Sequence, residues 1–226
     1  MFYRYIILFT LAILSFYFFW KKNIDHSVLS SQKPGIVIIL NGPSAAGKSS
    51  IQSEFQKLMM PNLWIKVGID NLFDKPMPDI TIENLDFWQN QNEIRWVSSE
   101  KDLHDNSVIT LHVGSQGLSV VQGMNKAIAE YAKSGCNVIA DYIGYDQKWL
   151  EDLKQQLSGV RTYWVKVEIP LEVLEKREEA RATSPKGHAR SHFNKVYGNI
   201  SYDLIVNSDK DSAMTIAENI KKYFGL

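Results

Sequence analysis

Residues 42–49 read Gly-Pro-Ser-Ala-Ala-Gly-Lys-Ser. Two glycines with four residues between them, followed at once by lysine and serine, form a pattern suited to gripping a polyphosphate. Gly42 and Gly47 let the backbone turn and approach an anion closely. The stretch Gly42, Pro43, Ser44, Ala45, Ala46 and Gly47 can then offer successive backbone N–H groups as a nest above a helix N-terminus. Lys48 supplies a mobile point charge for the β- and γ-phosphates of ATP, and the Ser49 hydroxyl is placed to ligate Mg²⁺. Ser50 completes the ATP-binding stretch. A plain glycine turn would give the lysine and serine nothing to do.

Two carboxylates follow apolar runs. Asp141 comes directly after Asn137-Val138-Ile139-Ala140, where a second metal-side acid would lie. There it would hold Mg²⁺ directly or through water; the competing role is a helix cap or turn residue. Asp70 ends Ile65-Lys66-Val67-Gly68-Ile69. A carboxylate there can take the proton of an attacking hydroxyl, or it can cap the turn at 71–73.

The basic residues cluster later. Arg177 and Arg181 are four apart and share a helix face. Residues 182–189 (ATSPKGHA) then form a loop with Lys186, and Arg190 follows. Together they read as a lid that closes on ATP, screens the transferring phosphoryl group and excludes water, with Arg190 an ATP ligand. The alternative is a solvated face paired with Glu175, Glu178 and Glu179. His188 and His192 are also four apart, but no acidic partner makes a metal motif. Trp88 and Trp96 read as core cover rather than as an aromatic substrate pocket. The single cysteine, Cys136, allows no intramolecular disulfide.

Positioning these groups requires alternating strands and helices. Ile36–Leu40 is a continuous β-branched run, as expected of a strand buried on both faces. Helical spacing follows at Ile51, Phe55 and Leu58. Strands are expected at 64–69, 137–143, 162–169 and 204–207, and helices at 118–133, 147–157, 171–181 and 212–224. Segment 71–116 shows no clean period. The pattern predicts an α/β P-loop fold with a mostly parallel sheet covered by helices on both faces. Ligands then bind beyond the carboxyl ends of the strands, so the loop and Asp70 face one crevice.

The N-terminus reads differently. Tyr5–Trp20 (YIILFTLAILSFYFFW) carries no charge, with Arg4 before it and Lys21 and Lys22 after it. As a helix these residues span about 24 Å, and Phe2 and Tyr3 extend them towards the ~30 Å hydrocarbon core. Aromatics gather near both ends, and no small-residue cleavage site follows. The expectation is an uncleaved single-pass transmembrane anchor over 1–22, a linker over 23–34 and a kinase domain over 35–226. Dependence on ATP favours a cytoplasmic catalytic domain. Lys plus Arg and Asp plus Glu both total 25. That neutral balance argues against a nucleic-acid partner.

The strings IILNGPSAAGKSS, VGIDNLFDKPMP, GMNKAIAEYAKSGCNVIADY, EKREEAR and YDLIVNS occur in that order. Over roughly residues 36–224 they resemble the chloramphenicol phosphotransferase-like family of P-loop kinases. The resemblance implies ATP and Mg²⁺ as cofactors and a hydroxyl of a small molecule as acceptor, as in chloramphenicol 3-O-phosphotransferase. It also implies Asp70 as general base, Lys48 as phosphate ligand, and Arg177 and Arg181 in the lid. Three features depart from the family pattern: a long segment after Asp70, Thr183-Ser184-Pro185 in the lid, and the N-terminal apolar run. Another small-molecule or nucleoside kinase, or a tethered nucleotide-binding module without catalysis, are the alternatives.

Overall fold

The computed structural model describes residues 33–88, 95–181 and 186–226, with the side chains of 87, 88 and 95–97 excepted. The expected anchor, most of the linker, the side chains of Trp88 and Trp96, and Thr183-Ser184-Pro185 lie outside the described residues. Among those described, no helix is long and apolar enough to cross a membrane.

Strand β1 (Ile36–Asn41) runs through the middle of a five-stranded sheet. Its side chains alternate between two cores: Val37 and Ile39 enter one, Ile38 and Leu40 the other, and all four are fully buried. That is why the run is apolar at every position rather than at every second one. β2 (Trp64–Gly68), β5 (Asn137–Tyr142), β6 (Arg161–Glu168) and β7 (Leu204–Asn207) complete the sheet in the order β2-β5-β1-β6-β7. Every pairing is parallel.

Helices α1 (Lys48–Met59), α5 (Leu171–Glu179) and α7 (Ala213–Phe224) cover one face. Helices α3 (Ser115–Lys133) and α4 (Gln147–Gln156) cover the other. α1 buries Ile51, Phe55 and Met59 along one stripe, with the Phe55 ring edge-on to Trp64 at 5.0 Å. α7 starts at Ser212, whose side chain accepts from Thr215 N, and ends at left-handed Gly225. These caps satisfy backbone groups that the helix leaves without partners.

The described residues of segment 71–116 form regular elements, contrary to the segment's aperiodic sequence. A π-helical turn occupies Asp70–Asp74, a 3₁₀ turn Ile82–Asn84, and a short helix, α2, Leu85–Trp88. Strands β3 (Arg95–Lys101) and β4 (Ser107–Val113) then form an antiparallel hairpin separate from the main sheet. Its turn closes on the Asp102 carboxylate, which accepts from the backbone of His104 and Asn106 at 2.8 and 2.9 Å. Hydrogen bonds, first from the Asn106 side chain, hold that carboxyl down to about 2. Most of β4 is only half-buried, so no apolar alternation marked the strands.

Candidate active site

The strand register makes the site. Asp141 pairs with Leu40 of β1 on one side and Gly68 of β2 on the other, so the three strand ends lie level. The chain leaves β1 into residues 42–47, and leaves β2 towards Asp70, at this same edge of the sheet. A side chain on Gly68 would place its Cβ 2.9 Å from the Asp141 Cβ. Bare backbone at 68 is therefore what lets Asp141 stand beside β2.

The loop enters α1 through Gly47, at φ 86, a left-handed conformation costly for any other residue. Among the described residues no side chain caps the helix start, which leaves the N–H groups of Lys48 and Ser49 without a capping side chain. Lys48 is 4% exposed. Its ammonium donates to the Pro43 carbonyl at 2.8 Å and lies 3.4 Å from Asp141 Oδ1. The Ser49 hydroxyl donates to Asp141 Oδ2 at 2.8 Å. Burial pushes the Lys48 proton affinity down, and Asp141 opposes that shift. The charges of Asp70 and Arg181 also act on this ammonium, with opposite signs.

Asp70 is exposed and opens the π-helical turn, with Ile69 in the cap position. Its carboxylate caps no helix, and among the described residues it has no hydrogen-bond or ion-pair partner. Arg177 and Arg181 line a cavity of about 410 Å³ with Ala45, Gly47, Ser208 and Asp211. The Arg177 guanidinium donates to the Ser208 carbonyl at 2.7 Å, which ties α5 to the loop after β7.

A family model described as "Chloramphenicol phosphotransferase-like protein" matches residues 35–225. The chain belongs to that family. It is a phosphotransferase of the kinase type that acts on a hydroxyl. A relative found in two strains of Mycobacterium tuberculosis carries the provisional name of an O-phosphotransferase. It is 27% identical over 198 residues, which cover 88% of this chain and 86% of the relative. Solved structures agree on the fold. The adenosine 5′-phosphosulfate (APS) kinase CysC of Mycobacterium tuberculosis, in complex with AMPPNP and APS, aligns at a TM-score of 0.54 and 16% identity. That alignment covers 85% of this chain and 99% of the other. Shikimate kinase from Bacteroides thetaiotaomicron aligns at 0.54 and 12%, covering 86% and 100%.

In this chloramphenicol phosphotransferase-like protein, one expected ligand is turned elsewhere. Arg190 does not line the cavity beside the phosphate loop. Its guanidinium makes a two-pronged contact with Glu175 at 2.6 and 2.9 Å and lies 3.6 Å from Asp102. These contacts join Arg190 to α5 and to the hairpin turn. Lys186 likewise pairs with Glu179 at 3.1 Å. Arg190 and Lys186 are thus ion-paired with glutamates of α5, whereas Arg177 and Arg181 line the cavity.

Three buried residues make contacts that have no signature in the sequence. Buried Glu178 accepts the backbone N–H groups of Gly187 and Ala189 at 2.8 and 2.6 Å, starting the short helix α6 (His188–His192). Fully buried Asn41 donates to the Val196 carbonyl and accepts from Gly144 N, locking the end of β1. His192 accepts from the phosphate loop itself, at Ser44 N. These partners stand 9 to 155 residues apart in the chain, beyond any spacing rule.

Proposed function

We propose that this chain transfers the γ-phosphoryl group of ATP to a hydroxyl of a small molecule, with Mg²⁺, from a domain tethered to a membrane. The convergence of Lys48, Ser49 and Asp141 beneath the Gly42–Gly47 loop carries this reading. The loop N–H groups and Lys48 would hold the polyphosphate, and the adjoining cavity the nucleoside. Ser49 and Asp141 present hard oxygen donors, which fit Mg²⁺. When bound, that ion neutralises charge on the phosphate oxygens. Arg177 and Arg181 would add positive charge on the cavity side, and Asp70 would take the acceptor proton.

Turnover of γ-labelled ATP by the full chain, against a panel of hydroxylated metabolites and antibiotics that includes chloramphenicol, tests the proposal. Label transferred to one or a few panel members at rates well above hydrolysis is the expected result. Transfer to a nucleoside alone would support the alternative kinase reading. Absence of any ATP binding would overturn the nucleotide assignment.

The uncharged run at 5–20 supports attachment through a single transmembrane helix, with the catalytic domain in the cytoplasm, where ATP is abundant. Intact-mass measurement of the membrane fraction is expected to return the full-length chain. A mature chain starting after Trp20, found in the soluble fraction, would overturn the anchor.

A further inference from the structure

His192 closes α6 against the outer limb of the phosphate loop. It is 4% exposed, and its Nε2 accepts the Ser44 N–H at 3.2 Å. Its ring stands edge-on to Tyr145, with centroids 4.9 Å apart, and packs against His188 at 4.7 Å. A ring that accepts at Nε2 carries its proton on Nδ1, which here faces the Ser191 hydroxyl at 3.5 Å. Burial, His188, Lys48 and Lys195 all disfavour the charged ring and keep it able to accept.

The loop needs such support. Ala45, next to Ser44, is a non-glycine residue at φ 63. That conformation persists only where surrounding contacts over-determine it. Ala45 and Ala46 pack in the same core cluster as Ala189 of α6, and α6 is itself held by Glu178. The loop is thus braced from the segment that follows the two cavity-facing arginines.

We propose that His192 is a positioning residue for phosphate binding: its acceptor nitrogen pins Ser44 N–H and keeps the loop in the shape that a polyphosphate requires. The inference rests on reading 42–49 as the nucleotide site. It predicts a division between variants that keep the acceptor and those that lose it. His192→Gln places an oxygen at nearly the reach of Nε2. His192→Asn falls short of it, and His192→Phe keeps the ring packing without any acceptor.

Two measurements on the full chain test the proposal. Amide hydrogen exchange without nucleotide should quicken over residues 42–47 in the Phe and Asn variants and stay near wild type in Gln. The Kd for Mg-ATP should rise about tenfold in Phe and Asn, the scale of one lost hydrogen bond, and about twofold at most in Gln. Equal behaviour of all three variants in either measurement would overturn the proposal. If His192→Phe fails to fold, the Gln and Asn pair carries the comparison. If the wild type binds no Mg-ATP, the nucleotide reading fails, and the exchange arm still decides whether His192 pins the loop.

Discussion

Lys48→Ala is expected to lower turnover on the order of 10²–10³-fold, the loss typical of removing one preorganised group from developing transition-state charge. Nucleotide affinity should fall as well, because a lysine at this place contacts the polyphosphate before and during transfer. In the free chain the Lys48 ammonium is already buried, resting on the Pro43 carbonyl with Asp141 beside it. The same burial gives the substitution a second consequence. Removing one partner of a buried ion pair costs on the order of 3–5 kcal/mol. Here Ser49 still donates to Asp141, so the loss should fall below that range. Thermal melts therefore accompany the kinetics. A lower melting temperature with normal Mg-ATP affinity and rate would reduce Lys48 to a structural residue and sink its phosphate role.

Asp70→Asn is expected to lower kcat by about 10²–10⁴-fold, the usual contribution of a positioned general base. The acceptor hydroxyl holds its proton far above neutral pH, so attack gains from a carboxylate that takes the proton as the new bond forms. The transfer passes through a loose transition state, so much of the gain is alignment and late proton acceptance. Asparagine keeps the size and most of the hydrogen bonding but cannot take the proton. The structure makes this a cleaner test than the sequence alone allowed. Asp70 is exposed and, among the described residues, caps nothing, so the exchange should change stability by no more than about 0.5 kcal/mol. Mg-ATP affinity should also hold nearly constant, since Asp70 meets Lys48 only through its field and not by a hydrogen bond. Near-normal kcat in the Asn variant, on an acceptor identified by the panel, would mean that another group is the base.

The arrangement also separates the two jobs of the basic segment. A lid of four equivalent cations would screen phosphate charge but would leave α5 and the hairpin unjoined. Instead Arg190 and Lys186 are occupied by Glu175, Asp102 and Glu179, while Arg177 and Arg181 stay on the cavity wall. Sequence spacing could not make this division, because Asp102 lies 88 positions before Arg190, in a hairpin the pattern did not reveal.

By itself the sequence determined the parallel sheet, the phosphate loop, and the candidacy of Asp70 and Asp141. The reason is local: continuous apolar runs mark strands buried on both faces, and Gly-x-x-x-x-Gly-Lys-Ser needs only its own spacing to be read. Helix and strand limits also lay within about three residues of those observed, because apolar stripes and turn residues fix them nearby. The tertiary structure alone decided which groups meet. Ser49 reaches Asp141 across 92 residues, and Ser44 reaches His192 across 148. It decided, too, that Gly68 is bare so that Asp141 can stand beside it, and that half-exposed strands without alternation pair as a hairpin. Contacts of this kind arise from strand order and register, which no local pattern encodes.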